Sequence, residues 1–295
     1  MSFFKTHFGP SRYVWGLHAT NHAVFTSSTY LPQWAFVLYR FLQAGYSFGW
    51  LVSLIVHSDD NRWLIYLTNW SYLLLATYFA LAFIGAALHW FHGWPTATDQ
   101  LHTSTSQLSP DSEKSNQMRM SEPNLAAPTG TRPTVAQRLL WVLYLLATDA
   151  AVTVVILYWG LVFDSATTDV SEYNISEHAI NGVQAVVEML VADMPHRLAH
   201  LYFLFTYGIA YMILTLIWWG ADGVTDNGTT YIYKVLDYDA TPGKAAMYLC
   251  LVLLIGLPVI HFVLSGLVAT VRERFLRRQV PSVPGGAFTP PQHGQ

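Results

Sequence analysis

LLWVLYLLATDAAVTVVILYWGLVF, residues Leu139–Phe163, decides the fold class. These 25 residues carry one charged side chain, Asp149. Coiled as an α-helix they reach ~37 Å, more than the ~30 Å of hydrocarbon in a bilayer. A helix of that length at a water interface would need a polar face, and this one has none. Working outward, five more apolar runs of comparable length stand out. They are Trp34–Val56, Trp63–Trp90, His178–Met194, Leu198–Trp219 and Ala245–Val271. The expected fold is all-α, a polytopic membrane protein built as a bundle of six transmembrane helices with both termini cytoplasmic.

Composition agrees. Of the 295 residues, 53% are hydrophobic and only 11% charged. A soluble domain carries roughly 25% charged residues. Mean hydropathy is +0.31. Trp34, Trp50, Trp63, Trp90, Trp94, Trp141, Trp159, Trp218 and Trp219 lie mostly near the ends of the runs, where amphipathic rings favour the lipid–water boundary. A net charge of −3 without a basic, aromatic-interleaved cluster argues against nucleic-acid binding. The single cysteine, Cys250, excludes an intrachain disulfide and a cysteine zinc site, and reads as a small buried hydrophobe. Residues 1–33 lack the apolar core of a cleavable signal peptide.

Charge sets the orientation. With six crossings, one side holds Lys5, Arg12, Lys114, Arg119, Arg132, Arg138, Arg197, Arg272, Arg274, Arg277 and Arg278. The other holds only Arg62, Lys234 and Lys244, which is a positive-inside bias with cytoplasmic termini. Dropping the fourth span would put the four-arginine tail outside. The sequons at Asn174 and Asn227 then fall in outer loops, where glycosylation can occur; a third, at Asn69, lies within a span. The chain therefore divides into a cytoplasmic segment 1–33, helices one and two within 34–90, and a loop 91–136. Helices three to six follow within 137–271, then a basic tail 272–295. Ser, Thr and Pro dominate 96–136, a composition expected to stay disordered, as is the Pro/Gly-rich tail.

The fourth span carries the most polar chemistry. Glu177, Asn181, Gln184 and Glu188 fall within ~60° of one another on a helix, with His178 at the edge of the stripe. Such groups face the bundle interior or a water-filled cavity. Two readings stand: an interhelical network that only holds the bundle, and a functional cavity. Arg40, ~9 Å inside the first span, matches Glu188 in depth and is expected to pair with it. Asp149, level with Gln184, extends that network or pairs with Arg40 instead.

Near the outer face, Thr68 lies ~8 Å into the second span and His178 opens the fourth. A Thr hydroxyl becomes a nucleophile when a base takes its proton, and a histidine is a suitable base, held by Glu177 or Asn181. The ordinary fate of a lone membrane Thr is a bond back to its own helix, here to the Leu64 carbonyl. Gly45-Tyr-Ser47-Phe-Gly49 matches a nucleophile-elbow pattern but lies mid-helix, where its glycines suit close helix packing. His89, His92, His196, His200 and His261 form spacings seen in metal sites but are too few for a membrane di-iron centre. No metal and no cofactor are expected. Thr230–Asp239, with Tyr231, Tyr233 and Tyr238, suits either a hairpin or lid over the outer mouth or an interfacial aromatic loop.

Leu67-Thr68-Asn69-Trp70, His178-Ala-Ile-Asn181-Gly-Val and Asp193-Met-Pro195-His196-Arg197 resemble the rolling-stone family of animal membrane proteins. Trp218-Trp219-Gly220 and Tyr231-Ile-Tyr233 extend the resemblance over roughly residues 30–95 and 137–270. It implies a polytopic plasma-membrane protein, and the founding insect member is linked to myoblast fusion. More remotely, the arrangement is similar to the androgen-induced family of membrane threonine hydrolases, which cleave fatty-acid esters of hydroxy fatty acids. That similarity implies Thr68 as nucleophile and His178 as base, with the long 91–136 loop and the Asn69-Trp70 context as departures.

The leading expectation is a membrane threonine hydrolase of lipid esters, with membrane lipids around it and a lipid ester as substrate. The alternative is a non-catalytic protein acting in adhesion or cell fusion through its outer loops. A transporter is disfavoured because inverted repeats are lacking. Either the plasma membrane or an endomembrane suits the sequence, and it names no protein partner.

Overall fold

The computed structural model describes residue 17 and residues 22–56, 62–92, 133–165 and 170–279. The expected disordered stretches fall almost wholly outside these residues. Among the described residues the regular elements are all helical. Six long helices form: α1 (Gln33–Val56), α2 (Leu67–His92) and α3 (Val135–Leu157, continued by a π turn Tyr158–Val162). The fourth, α4, runs Glu172–Ile175, a π turn Ser176–Ile180, then Asn181–Val191. The fifth, α5, is Leu201–Gly220, led by a 3₁₀ turn Leu198–His200. The last, α6, is Pro242–Leu251, a π turn Val252–Gly256 and Leu257–Gln279.

Four segments are long and apolar enough to cross a membrane: Leu67–His92, Val135–Val162, Leu198–Gly220 and Pro242–Arg274. Helices α1 and α4 carry more polar groups, and these point inward. On α1, Arg40 and Ser47 are buried while Leu38, Phe41, Leu42, Phe48, Val52 and Ile55 are exposed. On α6, His261 and Ser265 are buried while Leu254, Val259, Phe262 and Val263 are exposed. This polar-in, apolar-out order suits a bundle solvated by lipid.

The central helix is α3, which packs against α2, α4, α5 and α6. A capping box starts it: the Gln137 backbone N–H donates to the Thr134 hydroxyl, and the Gln137 side chain accepts from the Thr134 backbone N–H. The helix thus begins four residues ahead of the expected Leu139. Its N-terminal part meets the segment before α1, where Phe25 is fully buried edge-on to Trp141. Close helix approach occurs at Gly208 and Gly182. A Cβ would meet Leu257 at 2.7 Å in the first case and Val155 at 2.6 Å in the second. At Gly45 and Gly49 a Cβ would meet nothing within 4 Å, so these glycines do not mark packing as expected. Cys250 is exposed on α6, not buried.

Between α4 and α5 the chain runs irregularly through buried Ala192, Met194 and His196. Buried carbonyls without helix partners need other donors. Arg272 of α6 supplies them, bonding the carbonyl oxygens of Ala192, Met194 (2.9 Å) and Asp193 (3.4 Å). Trp141 Nε1 donates to the Pro195 carbonyl at 2.8 Å, and Thr29 donates to the Asp193 carboxylate from both its backbone N–H and its hydroxyl.

Candidate functional site

The polar stripe of α4 splits into three separate arrangements. Innermost, Glu188 Oε1 accepts from Arg40 Nη2 at 2.8 Å and from the Tyr78 hydroxyl at 2.5 Å. Both charged side chains are fully buried. Arg40 Nη1 also donates to the carbonyls of Phe25 (3.0 Å) and Ala82 (3.1 Å), and its guanidinium lies over the Phe36 ring. One turn outward, Gln184 Nε2 donates to Gln43 Oε1 at 2.8 Å and Ser47 Oγ at 3.1 Å. These two sets bind α1 to α4.

Asp149 joins neither set. It lies on another face of α3, bonded to His196 and His261. The expected extension of the stripe through Asp149, or its pairing with Arg40, is therefore corrected.

Outermost is a cavity of about 770 Å³, lined by Thr68, Asn69, Tyr158, Glu177, His178 and Tyr233 with residues of the 225–232 loop. Thr68 is the second residue of α2, because Trp63–Ile65 forms a separate 3₁₀ turn and Tyr66 is extended. It sits nearer the rim than the expected ~8 Å depth. His178 lies inside α4, six residues beyond its start at Glu172, rather than opening the helix. Both side chains nevertheless line one cavity.

The expected bond from Thr68 to the Leu64 carbonyl is not among the contacts of the described residues; that carbonyl accepts the Trp70 indole N–H at 2.6 Å. Instead, the Tyr233 hydroxyl neighbours Thr68 and accepts the Leu67 backbone N–H at 3.1 Å. Burial pushes the Tyr233 phenol up from its ordinary value, so it stays neutral and keeps an O–H to donate.

The His178 ring stacks on Tyr158, with centroids 3.4 Å apart and planes 7° from parallel. Its Nε2 lies 3.8 Å from Glu177 Oε2, and its Nδ1 makes no hydrogen bond among the described residues. Asn181 does not hold the imidazole: its Oδ1 accepts from its neighbour's N–H, that of Gly182, and its Nδ2 is unpartnered among the described residues. Of the two expected orienting groups, Glu177 lies nearer, its carboxylate 3.8 Å from Nε2 and beyond hydrogen-bond distance.

Beneath the polar cavity lies a second, apolar one of about 110 Å³ among α3, α5 and α6, with walls that include Val154, Leu157, Tyr207 and Leu253. Thr68, Tyr158, Val162 and Tyr233 line both cavities. The segment 221–241 covers the mouth through turns and a 3₁₀ turn Lys234–Leu236, without a β-hairpin. It is anchored by Arg62 on Asp226 and by Tyr238 on Thr215 (2.8 Å). Asn227 lies in an exposed turn of this cover. Asn174 is half-buried on the first turn of α4, its Oδ1 accepting from the Tyr158 hydroxyl at 2.6 Å.

Sequence reasoning missed Tyr158 and the convergence of Asp149, His196 and His261. Tyr158 sat among interfacial aromatics, and the trio comes from three distant segments without a shared period.

Apolar helices around buried polar networks and a cavity at one end define a polytopic α-helical membrane protein. The chain belongs to the rolling stone family: the family model described as protein rolling stone matches residues 116–283. Protein rolling stone of Drosophila melanogaster is 21% identical over 225 residues, covering 75% of this chain and 71% of that protein. No solved structure matches.

Proposed function

We propose that the chain crosses the membrane six times with cytoplasmic termini, and that its outer cavity hydrolyses a lipid ester through Thr68. Helices α1 and α4 complete the six crossings, since their polar groups are satisfied inside the bundle and α1 turns an apolar face outward. The positive-inside bias supports the orientation. Both sequons then lie outside, and Asn227, exposed in its turn, is more accessible than half-buried Asn174.

One observation carries the enzymatic reading: the polar and apolar cavities meet at Thr68, Tyr158 and Tyr233. A fatty ester has the same two parts. With its acyl chain in the inner cavity and its polar part in the outer one, the ester carbonyl lies beside Thr68. The positive end of the α2 dipole and the neutral Tyr233 phenol beside Thr68 face the developing oxyanion, the Leu67 N–H being held by that same hydroxyl. His178 takes the proton as Thr68 Oγ bonds to the carbonyl carbon, then returns it to the departing alkoxide. Water, deprotonated by the same imidazole, attacks the acyl-threonine and releases the fatty acid with Thr68 regenerated. Stacking on Tyr158 and the Glu177 carboxylate orient His178. The remote resemblance of the sequence to the androgen-induced hydrolases implies the same two residues, and membrane lipids of the plasma membrane or an endomembrane are the substrate class.

The test is hydrolysis of a long-chain p-nitrophenyl ester by the purified protein in nanodiscs. Thr68→Ala abolishes turnover and Thr68→Ser retains a nucleophile and measurable rate. Equal rates for wild type and Thr68→Ala overturn the reading and favour a non-catalytic role for the outer cover in adhesion or cell fusion.

A further inference from the structure

Asp149 of α3, His196 of the irregular α4–α5 connection and His261 of α6 converge in the bundle, each at most 4% exposed. Asp149 Oδ1 lies 2.9 Å from His196 Nε2, and Oδ2 lies 2.7 Å from His261 Nδ1. One ligand atom from each lies within 4.8 Å of the others.

Donor bookkeeping shows what the cluster needs. The Arg197 carbonyl only accepts, so His261 Nε2, 3.0 Å from it, carries a proton there. A neutral His261 then aims the bare lone pair of Nδ1 at the Asp149 carboxylate. His196 can repeat the pattern: with Nδ1 donating to Ser265 Oγ at 2.8 Å, its Nε2 lone pair faces Oδ1. Two imidazole lone pairs and a carboxylate then face one another, and only a positive charge among them makes that arrangement favourable. Protons on both facing nitrogens, with Ser265 Oγ donating to His196 Nδ1, relieve it as an imidazolium–carboxylate cluster; a single divalent ion relieves all three edges at once.

We propose that Asp149, His196 and His261 bind one divalent transition-metal ion of the zinc class. Two imidazoles with one carboxylate suit zinc, cobalt or iron(II) better than magnesium or calcium, which prefer oxygen shells. The far nitrogens meet the Arg197 carbonyl and Ser265, the outer partners that fix ligating histidines in the correct tautomer. Asp149 and His261 do not line the apolar cavity, although their chain neighbourhoods Ala150 and Leu257 do. The ion therefore acts as a clamp, tying the irregular connection to α3 and α6, and this role does not depend on Thr68.

The experiment uses the full chain, purified through a histidine-free tag without chelator. Metal content is measured by inductively coupled plasma mass spectrometry, and the chelated protein is reloaded with Co²⁺ for visible absorption. The wild type is expected to hold about one ion per chain, to show d–d bands with Co²⁺, and to melt earlier after chelation. Asp149→Asn and His261→Ala lose the ion, while Ser265→Ala weakens affinity ~10-fold as an outer partner. Where ligand variants fail to fold, the wild-type protein alone decides. A folded wild type with substoichiometric metal, no cobalt bands and no response to chelator overturns the proposal and leaves an imidazolium–carboxylate cluster.

Discussion

Replacing Arg40 with methionine removes one charge of a pair that is fully buried on both sides, with Nη2 and Oε1 2.8 Å apart. The Glu188 carboxylate then keeps the Tyr78 hydroxyl on Oε1, while the Phe25 and Ala82 carbonyls lose their Arg40 donors. Orphaning one partner of a buried pair costs about 3–5 kcal/mol. At 1.4 kcal/mol per decade, the unfolded fraction rises by about a hundred- to a few thousand-fold. Removing both charges in Arg40→Met/Glu188→Leu costs far less than the sum of the single changes. A double-mutant cycle should show coupling of at least ~2 kcal/mol. The assay is reversible SDS unfolding in mixed micelles, followed by tryptophan fluorescence. A single variant within ~1 kcal/mol of wild type, or additive single changes, would refute a mutually dependent pair linking α1 to α4.

Other outcomes follow from the same geometry. Gly208→Val drives a side chain into Leu257 and Leu253, whose atoms would lie 2.7 and 2.8 Å from the new Cβ, and should destabilise by ~1–3 kcal/mol in the same assay. Gly45→Ala meets open space and should instead be neutral or stabilising by up to ~1 kcal/mol, on helix propensity alone. In a Cys250→Ser background, a cysteine at Gly228 should react with an impermeant maleimide on intact cells, and one at Gln295 only after permeabilisation; the reverse pattern contradicts the orientation. Asn227→Gln should remove a glycosidase-sensitive band on gels, whereas Asn174→Gln should leave it.

Much of the fold was legible because lipid imposes simple rules of length, polarity and charge. Arg40 and Glu188 could be matched by counting depth, since each lies within a few residues of its helix end and the irregular residues 192–194 add little to the count. That counting failed for Thr68, because the separate Trp63–Ile65 turn moves the start of α2, and for His178, because α4 begins at Glu172. Asp149 was misassigned for a related reason: its partner His196 lies on an irregular segment where no period predicts direction. Gly45 and Gly49 misled because pattern alone does not tell a helix face in contact from one facing lipid. The sharing of Thr68 between two cavities depends on the fold of the 221–241 cover, whose turns carry no regular pattern.

The most direct measurement treats the purified protein with a fluorophosphonate probe and maps the adduct by peptide mass spectrometry. A hydrolase of the proposed kind carries the adduct on Thr68, and His178→Ala loses it with helicity unchanged. An adduct elsewhere, or none on folded wild type beside a labelled control hydrolase, would contradict the assignment of Thr68 and His178 as nucleophile and base.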